Sequence, residues 1–187
     1  MESTDLINGF KQKARNVSAF ISDVETLDSA FSHAVELTVQ QGGKTLAAAS
    51  FSPKEMILLK HQCESKGVEL LSEPFRLCAD KIHTALTRMD WGIAETGSLL
   101  LDSSRENVRI ATMLSETHVT LIQRSRIVPD ARALETEIDR ILKQNQPAYL
   151  AWITGASRTA DIERVLAIGV HGPKELHILI MKDPEEA

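Results

Sequence analysis

Short apolar runs and helical segments with a single apolar face take turns along this chain. Few folds accept that alternation. An apolar run of about four to eight residues suits a strand covered on both faces. Such strands pair in parallel when a helix returns the chain between them. The clearest runs are 44–49, 68–71, 118–122, 148–154 and 176–181. Between them, Leu27, Ala30, Phe31, Ala34, Val35 and Leu37 follow helical spacing over 26–41, and Gly42-Gly43 stop that helix. Ser52-Pro53-Lys54-Glu55 is a capping box with proline at the first helical position, so a helix is predicted over 53–66, closed by Gly67. Asp130 caps a helix predicted over 131–144, with Leu134, Ile138, Ile141 and Leu142 inward. The expected class is α/β, an open and mostly parallel sheet with flanking helices, in one domain spanning 1–187.

The remaining segments are read on the same rules. Residues 2–20 form a mixed helix with Leu6, Ile7, Phe10 and Ala14 on one side, an N-terminal helical extension broken at Ser22-Asp23. Ala79, Ile82, Ala85 and Leu86 favour a helix over 75–89. Ser103-Ser104-Arg105-Glu106 reads as a second capping box, opening a short helix to Met113. Residues 148–154 read as a central parallel strand ending at Gly155, followed by a helix over 157–167.

Composition narrows the function classes. With 43% hydrophobic and 25% charged residues, the chain can build a core and is not disordered throughout. Twenty-one basic against 26 acidic side chains give a charge of −5, so there is no electrostatic footprint for nucleic acid. The first twenty residues carry Glu2 and Asp5 and no continuous apolar stretch, so they do not read as a signal peptide. No run is long enough to span a membrane. Cys63 and Cys78 have no CxxC spacing, and the histidines show no ligand spacing, so neither a metal site nor an iron–sulfur cluster is expected in this chain. Free cysteines without a secretion signal point to a cytoplasmic protein.

Three stretches could carry chemistry. In Ile153-Thr154-Gly155-Ala156-Ser157-Arg158-Thr159-Ala160-Asp161, an apolar strand runs through a glycine and hydroxylated residues into a predicted helix. Free amides and the helix dipole favour an anion there, with Ser157 and Thr159 as donors and Arg158 as a clamp. Ordinary helix capping by Ser157 or Thr159 explains the same pattern. Gly169-Val170-His171-Gly172-Pro173 is a tight turn that holds His171 in a defined position, as acid, base or donor, or simply bonded to backbone. Glu95-Thr96-Gly97-Ser98 interrupts an apolar run. Its carboxylate is either a catalytic acid, base or nucleophile, with Arg109 as counter-ion or ligand, or the exposed corner of a turn.

Together these residues resemble the lactate-utilisation (LUD) domain family, and within it the protein C group. The resemblance rests on Thr96-Gly97, Arg109 with its short helix, 154–163 and 169–173, in the family's order and spacing. It spans about Trp91 to Met181, with Gly-Ala-Ser where the family commonly has Gly-Pro-Ser. It implies the sheet shared with sugar-phosphate isomerases and CoA transferases. It also implies a role in oxidising L-lactate to pyruvate beside partners that carry iron–sulfur clusters. This chain is then the cluster-free subunit. Thr96, Gly97, Arg109, Gly155, Ser157, Arg158, Thr159, Asp161, His171 and Gly172 are carried over as a ligand site for a small anion. Glu95 and His171 are the catalytic candidates. A homo-oligomer is compatible with all of this.

Overall fold

The computed structural model describes residues 3–143, 148–159, 167–168 and 172–183. Helix α1 (Ser3–Asn16) opens the chain and buries Ile7, Phe10 and Ala14, the side the spacing selects. Strand β1 (Ala19–Val24) follows at once. Residues Ser22 and Asp23, read as a break, lie inside this strand: Ala19 and Val24 are buried while Asp23 faces solvent at the sheet edge.

The chain then alternates as expected: α2 (Leu27–Gln40), β2 (Thr45–Ala48), α3 (Pro53–Ser65) and β3 (Glu69–Leu71). Both helices begin on full capping boxes, Thr26 with Ser29 and Ser52 with Glu55. The helix expected over 75–89 is absent. Two short 3-10 turns, Phe75–Leu77 and Ala79–Lys81, lead into strand β4 (Thr84–Arg88). Thr84, Ala85, Leu86 and Thr87 are all buried, so the apolar spacing belongs to a strand covered on both faces.

Strands β5 (Trp91–Ile93) and β6 (Ser98–Asp102) form a hairpin. Helix α4 (Glu106–Leu114) is capped at Arg105, without a side-chain bond. The Ser103–Glu106 capping box is not formed, because the Ser103 hydroxyl donates to the Tyr149 carbonyl at 2.8 Å. Strand β7 (Thr117–Gln123) and the short β8 (Ile127–Val128) come next. Asp130 does cap the following turn, accepting from the Ala133 amide at 3.1 Å, and α5 spans Glu135–Leu142. Strand β9 (Leu150–Ile153) precedes a two-residue pairing of β10 (Arg158–Thr159) with β11 (Ala167–Ile168), antiparallel. That pairing replaces both ends of the helix expected over 157–167. The middle of that helix lies outside the described residues. Strand β12 (Glu175–Met181) closes the fold.

Six strands form the main sheet in the order β1-β12-β7-β4-β2-β3, parallel at every pairing. One face is covered by α2 and α3 through Phe31, Val35, Leu59 and Cys63. The other is covered by α1, α4 and a second sheet, through Phe10, Val108, Leu99 and Ile127. This second sheet has the order β8-β5-β6-β9. The run at 148–154 is therefore not a central parallel strand. β9 lies at the edge of the small sheet, antiparallel to β6, and exposes Trp152. Its apolar residues cover the main body on one side and pack Leu150 under α5 on the other.

Candidate functional site

Strand alternation places His118 and Leu176, near the starts of β7 and β12, on the same face of the main sheet as α4. Above them α4 contributes Arg109, Thr112 and Met113, and β9 contributes Ala151 to Ile153. Gly155 and Pro173 close the side. The cavity measures about 210 Å³ and opens to solvent. It lies at the amino edge of the parallel sheet, opposite the carboxyl edge where open sheets usually hold ligands.

Among the described residues, Arg109 supplies the one cationic side chain in this lining. Its Nη1 donates to the carbonyls of Ser103 and Ser104 at 2.6 and 2.7 Å, and its guanidinium lies 5.3 Å from the Tyr149 ring centre. Those bonds fix the guanidinium plane. Among the described residues, Nε and Nη2 have no acceptor, so one edge remains to receive a carboxylate in bidentate fashion. Arg109 does not pair with Glu95.

His118 is a site residue that the sequence reading missed. It is fully buried, and burial pushes its pKa down to about 4, so the ring is neutral at physiological pH. Its Nε2 lies 2.8 Å from Thr87 Oγ1. The Thr120 hydroxyl donates to the Thr87 carbonyl, and the Thr87 hydroxyl donates to Thr120 Oγ1. That chain leaves Thr87 Oγ1 as the acceptor, so the Nε2–H tautomer of His118 is assigned. The only sequence signal was a histidine inside an otherwise apolar and β-branched strand.

Two loops meet at this cavity. The Ser157 amide donates to the Pro173 carbonyl at 2.9 Å. A Cβ on Gly172 would stand 3.1 Å from the Ser157 Cβ. The 155–157 and 172–173 loops therefore converge, although one follows an edge strand and the other precedes a central one. Arg158 is exposed. Thr159 contributes its backbone to the pairing with Ala167. Asp161 and His171 lie outside the described residues.

The Thr96-Gly97 turn does not line the cavity. Its link is indirect: Thr96 donates to Ser98 Oγ at 2.8 Å, and Ser98 Oγ lies 2.7 Å from Thr154 Oγ1. Gly97 and Gly155 have φ of +69° and +76°. A Cβ on Gly97 would overlap the backbone of Lys13 and Ala14, and one on Gly155 the Val17 carbonyl. Both glycines exist so that the end of α1 can sit against the small sheet. Glu95 is exposed on the turn, so the apolar wedge read from its neighbours is not formed.

The profile of the LUD domain matches residues 7–181. The chain belongs to the LUD domain family. The match covers the N-terminal half as well as the motif-bearing part, in keeping with the place of α1 and β1 in the core. Among LUD relatives, the lactate utilization protein C of Anoxybacillus flavithermus is 34% identical over 56% of this chain and 46% of its own length. That of Bacillus subtilis is 32% identical over 56% and 45%. An uncharacterized protein of Neisseria meningitidis, NMB1437, is 30% identical over 76% of this chain and 58% of its own. The chain spans about half the length of these curated relatives. A crystal structure of a DUF162 family protein from Deinococcus radiodurans shares the fold, with a TM-score of 0.63 over 97% of this chain and 99% of that one, at 16% identity.

Proposed function

We propose that this LUD protein acts in lactate utilisation and that the Arg109 cavity binds a small carboxylate, lactate or pyruvate. One observation carries the reading. The 155–157 and 172–173 loops converge on a cavity whose walls are mostly apolar and whose one cation among the described residues keeps a free bidentate edge. A short 2-hydroxy or 2-keto acid has that shape: one carboxylate and a small apolar body. Neutral His118 adds a hydrogen-bonding group without a second charge. The names of the protein C relatives support the substrate class.

In this reading the chain is the cluster-free component of an L-lactate-oxidising assembly, and it presents substrate to partners that carry the iron–sulfur clusters. The test is a reconstitution. Purified cluster-bearing partners should oxidise lactate faster when this chain is added, and Arg109→Gln should remove the gain. Equal rates with and without the chain would exclude the role.

A further inference from the structure

A second cavity, about 1080 Å³, lies at the opposite end of the main sheet. It opens where β1, β4, β7 and β12 end, and its roof is the small sheet and α5. That is the carboxyl edge, the usual ligand position in open α/β sheets. None of the described motif residues lines it.

Most of its charges are already matched. Arg88 pairs with Glu55 at 2.7 Å, Arg140 with Glu137 at 2.6 Å, and Lys182 with Glu25 at 2.6 Å. Two groups are not. Among the described residues, Asp90 accepts only the Asp102 amide, at 2.6 Å on Oδ2. Arg126 has no side-chain acceptor among the described residues and lies 4.7 Å from the Trp91 ring centre. The parallel pairing of β5 with β8 sets Asp90 and Trp91 beside the start of β8, where Arg126 stands. The cleft thus holds an anion and a cation that are neighbours without a direct ion pair, with the apolar side chains of Met89, Leu121 and Ile141 around them. Burial pushes the Asp90 pKa up and the nearby Asp102 and Glu137 carboxylates add to this, while the Asp102 amide and the charge of Arg126 pull it back. Carboxylates outnumber cations in the lining, which disfavours phosphates.

We propose that this cleft is a second binding site, for the zwitterion of an α-amino acid, whose ammonium meets Asp90 and whose carboxylate meets Arg126. The two tryptophans of the chain report on the two cavities separately, Trp91 on this one and Trp152 on the other. In full-length Trp152→Phe protein, Trp91 fluorescence is titrated with L-alanine and L-leucine, and with their 2-hydroxy counterparts, L-lactate and 2-hydroxy-4-methylpentanoate. The proposal expects a saturable change with the amino acids and at least tenfold weaker response to the hydroxy acids. Asp90→Asn and Arg126→Gln, each with an unchanged unfolding midpoint, should each weaken the amino-acid response at least tenfold. No saturable response to either amino acid, an equal response to the hydroxy acids, or full binding by the two folded variants would overturn it. Because lactate at the Arg109 cavity is read by Trp152, either site can fail without the other.

Discussion

The Gly155 backbone lies directly against the Val17 carbonyl, so a glycine from the motif-bearing half is pinned to the turn after the first helix. Gly97 makes the same kind of approach to Ala14. Both need a positive φ and an absent Cβ at once. Gly155→Ala and Gly97→Ala should each cost about 2–4 kcal/mol in urea unfolding. Gly9→Ala, inside α1 with open space around it, should instead gain about 0.5–1 kcal/mol. Losses below about 0.5 kcal/mol at Gly97 and Gly155 would contradict this packing.

The neutral, buried His118 makes stability depend on pH above the carboxylate range. Its folded pKa of about 4 lies below the ordinary value of 6.5. Between the two, the unfolded chain takes up a proton that the native chain refuses, so stability falls as pH drops from about 6.5 to about 4. Below that window this group adds no further loss. The total is about 3 kcal/mol. His33, also lowered chiefly by burial, adds in the same direction. Urea midpoints measured from pH 7 to 4 should show the slope, and His118→Gln should flatten most of it.

Cys63 lies on the buried face of α3, and burial raises its thiol pKa to about 11. The thiolate is the reactive species, so native Cys63 should resist labelling at pH 8. A disulfide reagent should modify Cys78, which is partly exposed, well before Cys63. Cys63 should react only as the protein unfolds, at a rate that rises with urea. Rapid labelling of both thiols in the native protein would be inconsistent with this core.

These outcomes rest on features of unequal legibility in the sequence. Helices α2 and α3 are readable from local signals, α2 from its apolar spacing and the Gly42-Gly43 stop, α3 from the Ser52–Glu55 capping box. Strand β1 was not, because its polar Ser22 and Asp23 fall on an edge whose partner, β12, is more than 150 residues away. β4 mimicked a helix because Ala79, Ile82 and Ala85 happen to be spaced by three. The 148–154 run carried apolar residues on both faces, which a central strand and a strand between two small cores require alike. Arg109 and Gly155 both line the cavity, and Arg109's partners, two carbonyls, leave no mark in side-chain patterns. His118 was passed over because what defines it, Thr87 on the adjacent strand, is 31 positions away.

The central claim is that Arg109 receives a small carboxylate beside Trp152. It is tested most directly by titrating Trp91→Phe protein with L-lactate and pyruvate while following Trp152 fluorescence. The account predicts a saturable change with at least one of them, weakened at least tenfold by Arg109→Gln in a protein that still folds. A flat titration, or full affinity in folded Arg109→Gln protein, would contradict it.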